Sequence, residues 1–219
     1  QAAPFLPPGA ILVSATKGLD AETLDRMSQV VVQETAGRHA VVALSGPSFA
    51  IEVAQGLPTA LVAASDTPSA VDAVQRELAG PRLRLYGSDD LIGVEIGAAL
   101  KNVIAIAAGA VESLHLGHNA LAALITRGLT EISRLACAMG GRRETVSGLS
   151  GMGDLVLTCT GRPSRNRHVG IELGRGRALA DILAGMRMVA EGVRTCDAAL
   201  ALGQRCGVEL PITAEMAEV

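Results

Sequence analysis

The stretch EIGAALKNVIAIAAGA, residues 95–110, constrains the fold more than any other part of the chain: it reads as a long apolar helix with one lysine, Lys101, at its middle. On a helix, the residues one and two turns away on the same face include Val94, Gly97, Ala98, Ala105 and Ala108. A face of such small side chains lets another segment or a ligand come close. A lysine pressed into it loses water, and desolvation lowers its pKa. A lowered pKa is what a lysine needs to exchange protons near neutrality. The competing reading is a snorkelling lysine or a structural ion pair. Lysine is scarce here: of 19 basic residues 17 are arginine, and only Lys17 and Lys101 are lysine. Coding bias explains the depletion but not the positions of the two that remain.

With 219 residues, 49% of them hydrophobic, the chain can bury a substantial core in one large or two small domains. A net charge of −3 argues against nucleic acid or an anionic membrane as the main partner. Two Phe, one Tyr and no Trp leave no stacking platform for bases. Cys137, Cys159, Cys196 and Cys206 form no CxxC pattern and read as reduced thiols of a soluble, cytoplasmic protein. The longest apolar stretch, 91–111, is interrupted by Glu95 and Lys101, so no membrane span is expected. The chain opens on Gln1 and stops at Val219, which reads as two cuts through something larger.

Residues 10–16, 40–47, 59–65 and 82–88 are short apolar runs closed by Gly, Ser, Pro or Thr, the marks of buried strands. Two helices fall between them. One follows Asp20 as its N-cap, with Leu24, Met27 and Val31 at helical spacing; the other spans 67–80, with Thr67 as cap and Pro68 in its first turn. This predicts an α/β unit with a mixed sheet in residues 1–88. From Asp89 helical periods take over, at roughly 89–114, 118–140, 143–148, 151–160, 164–175, 178–185 and 191–206. A domain boundary is therefore expected near 88, with an all-helical part in 89–219.

Several short motifs carry chemistry. Lys17 in SATKGLD follows the end of a strand, where α/β folds gather their ligands; alone it is equally a surface loop lysine. SGPSFA, 45–50, also follows a strand, and its small residues leave backbone N–H groups accessible, although this is ordinary turn chemistry too. GMGDLV, 151–156, follows no strand and lacks a third glycine, so it is not a dinucleotide fingerprint. SRNR, 164–167, stands where a helix begins; a guanidinium, an amide and a free helix N-terminus suit a phosphate dianion, though a solvated cap is the plainer reading. His115 and His118 have no carboxylate or cysteine companions, so no metal site is assigned; His39 and His168 read as surface or edge residues.

In order along the chain, ATKGL, SGPSFA, ALKNVIAIAAG, LITRGLTEISRL, GLSGMGDLVLTCT, SRNR and EGVRT together resemble the bacterial-type NAD(P)-dependent glycerol-3-phosphate dehydrogenases. The resemblance runs from about residue 10 to the end. It implies an α/β partial Rossmann-like domain in 1–88, followed by an all-α C-terminal domain in 89–219 for substrate binding and dimerisation. It also implies reduction of dihydroxyacetone phosphate to sn-glycerol 3-phosphate with NAD or NADP as cofactor, in glycerophospholipid synthesis, by a cytoplasmic homodimer. By motif position, Lys101 is the catalytic acid and base. Lys17, Gly46, Ser48, Lys101, Asp154, Ser164, Arg165 and Asn166 are the substrate contacts, and Ala50, Arg165, Val189 and Glu191 the cofactor contacts. The chain departs from that pattern in lacking GxGxxG and the first strands of the nucleotide-binding unit. It is therefore expected to be the central and C-terminal part of such an enzyme, with its own activity in question. Two further readings stand beside it: a non-catalytic fragment that binds a phosphometabolite or dimerises, and a sibling two-domain 3-hydroxyacid or ketopantoate-type dehydrogenase.

Overall fold

The computed structural model describes residues 2–186 and 189–219. Strands β1 (Leu12–Ser14), β2 (Val41–Ser45), β3 (Thr59–Ala64) and β4 (Leu83–Ser88) form one sheet in that order. β1 and β2 are parallel, with Leu12 opposite Val41. β2 and β3 are antiparallel, with Ala43 opposite Ala64, and β3 and β4 are parallel, with Thr59 opposite Leu83. The sheet is mixed, as the pattern of runs predicted. Both faces of the central strands β2 and β3 are packed against helices, which is why they read as continuous apolar runs, whereas β1 and β4 leave Val13 and Tyr86 exposed. Val42, Ala63 and Leu85 pack on Ala70, Val71 and Val74 of one helix; Ala43 and Ala64, on the opposite face, pack on Leu91 and Val94 of another.

The helices are α1 (Met27–Glu34), α2 (Ala50–Ala54), α3 (Pro68–Leu78), α4 (Leu91–Ser113), α5 (Gly117–Ala138), α6 (Arg143–Val146), α7 (Asp154–Thr160), α8 (Arg165–Gly174), α9 (Leu179–Ala184), α10 (Glu191–Cys206) and α11 (Pro211–Ala217). A π-helical turn, Leu149–Gly153, leads into α7. Three details differ from the sequence reading. Asp20 does not cap a helix: its Oδ1 accepts from the N–H groups of Glu22 and Thr23 in a local turn, and Leu24 takes a left-handed φ of 64°, so α1 starts only at Met27. α2 and α11 were not anticipated. They are short, and α11 is held from outside, because the buried Glu131 carboxylate of α5 accepts from the N–H groups of Ile212 and Thr213 at its start. His39, read as a surface or edge residue, is buried, with Nδ1 3.0 Å from the Ala10 carbonyl oxygen.

α4 organises the molecule. It is long and apolar enough to cross a membrane, yet its residues from Val94 to Gly109 are all buried in protein. The two charges that interrupt its apolar run both turn inward. Glu95 accepts from Ser28 N–H (2.7 Å), the Ser28 hydroxyl (2.6 Å) and the Arg26 guanidinium, tying α1 to α4. Lys101 faces α7. Asp90 caps the helix by accepting from Gly93 N–H at 2.8 Å.

The small residues of α4 are used for backbone contact. A Cβ at Gly97 would sit 3.1 Å from the Ser150 carbonyl oxygen of the π-helical turn, and one at Gly109 would overlap the Arg167 carbonyl oxygen. On the partner helix, a Cβ at Gly170 would fall on the Ile106 carbonyl oxygen. α4 and α8 therefore cross at van der Waals contact of their main chains, which no larger residue permits. Gly170→Ala is expected to destabilise the fold by ~1–3 kcal/mol, through forced separation of the two helices. Urea denaturation of the variant, compared with the exposed control Gly80→Ala, where an added Cβ meets nothing within 4 Å, measures it.

Candidate functional site

The Lys101 side chain is almost fully buried, with 4% of the residue's surface exposed. Its ammonium donates to the Thr158 hydroxyl at 2.8 Å and to Asn102 Oδ1 at 3.0 Å, and it lies 3.3 Å from Asp154 Oδ1. Asp154, 2% exposed, also receives the Lys17 ammonium on Oδ2 at 2.5 Å. One buried carboxylate thus stands between the only two lysines of the chain. Thr158 lies one turn after Asp154 on α7, and its hydroxyl donates to the Asp154 carbonyl oxygen at 2.6 Å. That bond orients the hydroxyl so that its lone pairs face Lys101.

Burial is the largest influence on Lys101 and lowers its pKa to about 8; the nearby Lys17 charge pushes the same way, while Asp154 and Glu191 oppose both. The group is thus poised near neutrality while remaining a cation below that pH. The adjacent Cys159 is a different case. Burial pushes its thiol up to about 12, so it stays protonated and is a packing residue rather than a nucleophile.

The other expected residues surround this centre. The loop after β1 brings Lys17 in, and Gly18, with φ 144°, passes within van der Waals reach of Thr195 on α10. The turn after β2 holds Gly46 at φ 137°, with Ala60 and Leu61 of β3 directly behind it, and the Ser48 hydroxyl donates to the Gly46 carbonyl at 3.1 Å. Pro47 of that turn lies against Gly153, the residue before Asp154, and the ring of Phe49 packs on Gly161. Ser164 is the N-cap of α8, its Oγ accepting from Arg167 N–H at 3.2 Å. Asn166 is buried, and its Oδ1 accepts from Gly192 N–H at 2.9 Å, leaving Nδ2 to donate elsewhere. Arg165, Ala50 and Val189 are exposed, and Arg165 makes no ion pair or side-chain hydrogen bond among the described residues. Glu191, the first residue of α10, accepts from Asn102 Nδ2 at 3.2 Å.

Lys17, Lys101 and Asp154 are therefore in direct contact, and Asn166 and Glu191 join them through Asn102 and Gly192. Ser164 and Arg165 stand at the start of α8 beside Asn166. Sequence reasoning missed Asn102 and Thr158. The signals were present: an amide immediately after the buried lysine, and a hydroxyl four residues after an acidic one on a short helix.

Residues 90–219 match the family described as NAD-dependent glycerol-3-phosphate dehydrogenase C-terminus, and residues 1–71 match its N-terminus. The chain belongs to this family. Among curated relatives, the glycerol-3-phosphate dehydrogenase (NAD(P)+) of Koribacter versatilis is 56% identical over 219 residues, covering 99% of this chain and 65% of the relative. That of Geobacter sulfurreducens is 56% identical over 222 residues, covering 100% of this chain and 66% of the relative. The glycerol-3-phosphate dehydrogenase of Coxiella burnetii, a solved structure, superposes with a TM-score of 0.91 at 41% identity, over 98% of this chain and 66% of that one. The chain thus spans about 65% of the length of the family members it matches. Its sheet-then-helices architecture is that of the family.

Removing the shared carboxylate leaves two ammonium groups facing each other, one of them buried. Asp154→Ala is expected to cost about 3–5 kcal/mol of stability, and adding Lys101→Met is expected to recover part of that loss. A double-mutant cycle by chemical denaturation measures both.

Proposed function

We propose that the chain forms the catalytic portion of an enzyme that reduces dihydroxyacetone phosphate to sn-glycerol 3-phosphate, reversibly, with NADH or NADPH. Residues 1–88 are the C-terminal part of a Rossmann-like nucleotide-binding domain, and 89–219 are the helical domain that binds substrate and pairs two copies into a homodimer. The product feeds glycerophospholipid synthesis in the cytoplasm. One observation carries this reading: a buried Lys101 ammonium, its pKa lowered by burial, held by Asn102, Thr158 and Asp154, with a second ammonium on the same carboxylate.

The residues around the site suit the nicotinamide end of the cofactor. Glu191 offers a carboxylate acceptor for carboxamide N–H groups, and Ala50, Arg165 and Val189 are exposed at helix starts or just before one. When bound, the reduced nicotinamide supplies a hydride to the ketone carbon. Lys101 does the rest of the chemistry. An ammonium has three protons; Asn102 and Thr158 receive two of them, and the third, which meets Asp154 Oδ1 only at 3.3 Å, is the one the carbonyl oxygen of the substrate takes over. As negative charge develops on that oxygen, the ammonium stabilises it and then gives up the proton, leaving a neutral amine and an alcohol. In the oxidation direction the neutral amine removes the alcohol proton. Arginine in this place would not release its proton. The substrate phosphate is received by the start of α8, through the Arg165 guanidinium, Asn166 Nδ2 and the free backbone N–H groups of that helix, with Lys17, Gly46 and Ser48 closing the other side. Fixing the phosphate holds the ketone in place, and orientation supplies much of the rate.

In the enzyme with a complete nucleotide-binding domain, Lys101→Ala is expected to lower kcat by at least ~10²-fold while dihydroxyacetone phosphate still binds. Near-normal turnover in that variant would remove Lys101 from the mechanism. The wild-type pH profile tests the same assignment with a definite sign. Ketone reduction needs the protonated amine and should fall as pH rises through about 8; alcohol oxidation needs the neutral amine and should rise through the same value.

A further inference from the structure

We propose that Glu191 is a positioning residue for Lys101: its carboxylate holds the Asn102 side chain so that the amide oxygen, and not the NH2 group, faces the ammonium. This rests on the reading of Lys101 as the proton donor and adds a residue that acts on it through another. The geometry is a chain of two hydrogen bonds. Asn102 Nδ2 donates to Glu191 Oε2 at 3.2 Å, and Asn102 Oδ1 accepts from Lys101 Nζ at 3.0 Å.

An amide is nearly symmetric in shape, so packing alone does not choose between its two orientations. Its partners choose. Turned over, Asn102 would set N–H groups against an ammonium and a carbonyl oxygen against a carboxylate. Asn102 is 2% exposed, so water offers no compensation for either clash. Glu191 is itself well placed to impose the choice. It is the first residue of the 16-residue α10, where the helix dipole favours a negative charge. The next residue, Gly192, is pinned on two sides: its N–H donates to Asn166 Oδ1, and a Cβ there would sit 2.6 Å from the Asn102 carbonyl oxygen. The start of α10 therefore cannot drift relative to α4.

Glu191 also acts on Lys101 as a charge. The groups facing Lys101 are Lys17 from the loop after β1, Asp154 and the neutral Cys159 from α7, and Glu191 from α10; Arg167 of α8 lies nearby but pairs with Glu112 near the far end of α4. Burial and Lys17 weaken the ammonium, and Asp154 and Glu191 support it. The two effects of Glu191 can be separated. Glu191→Gln keeps an acceptor for Asn102 Nδ2 but removes the charge; Glu191→Ala removes both.

The lysine count makes the test direct. Labelling the chain with 13Cε-lysine gives two signals, one from Lys17 and one from Lys101, with Lys17→Arg assigning them, and no cofactor or substrate is needed. The Lys101 signal should titrate near pH 8 in the wild type, and Glu191→Gln should lower its midpoint by about half a pH unit. The near-isosteric change keeps the fold. An unmoved midpoint overturns the proposal. In the enzyme with a complete nucleotide-binding domain and saturating cofactor, Glu191→Ala should lower kcat by about tenfold with KM for dihydroxyacetone phosphate unchanged, and Glu191→Gln should restore most of that kcat below pH 7. A defect confined to KM for the cofactor overturns it equally. Failure of the underlying reading looks different: full turnover by Lys101→Ala would remove the proton-donor role while leaving the titration shift in place.

Discussion

A positive charge inside an apolar helix bundle is the constraint around which this structure is arranged. Leaving the Lys101 ammonium unpaired in the core would cost several kcal/mol, a sizeable share of the stability of any domain. The fold answers with a carboxylate, a hydroxyl and an amide, all within 3.3 Å. Asp154 and Thr158 reach it only because they lie one turn apart on α7, and α7 starts in the right place only because the π-helical turn can press against Gly97. The glycines and alanines of α4 and the polar cluster are two parts of one solution. Without close backbone approach the partners would not reach the amine, and without partners the amine would not stay buried.

The same arrangement leaves the charges unequal. Lys17 and Lys101 share Asp154, so the centre carries more positive than negative charge before Glu191 is counted. The arrangement also divides the labour between two residues of one kind. Lys17 is part-exposed and sits on a loop that a substrate can reach; Lys101 is sealed in a helix, where burial brings its pKa within range of proton transfer.

Much of this was readable before any coordinates. The four strands and the nine helices anticipated from residue periods appear near their expected places, because the central strands and the seam of each long helix are buried and so leave apolar patterns. What escaped had physical reasons. α1 begins seven residues after Asp20, because that side chain closes a local turn and Leu24 adopts a left-handed conformation that propensity does not reveal. α11 depends on Glu131, which is 81 residues away from Ile212 in the chain. Thr158 and Asn102 were in view as letters but had no role until Lys101 was seen to point at them.

The sequence by itself determined that one lysine would stand in an apolar helix lined with small residues, that strands would precede helices, and which family's motifs the chain carries. Those are local properties: periodicity, residue size and the order of short segments. Only the tertiary structure decided that both lysines share one carboxylate, that Ser164 and Asn166 are occupied in holding the start of α8 and α10, and that Glu191 reaches Lys101 through an amide. Such facts depend on distances between residues tens of positions apart. Hydrogen bonds and ion pairs act over about 3 Å, so no pattern along the chain records them until packing has brought the partners together.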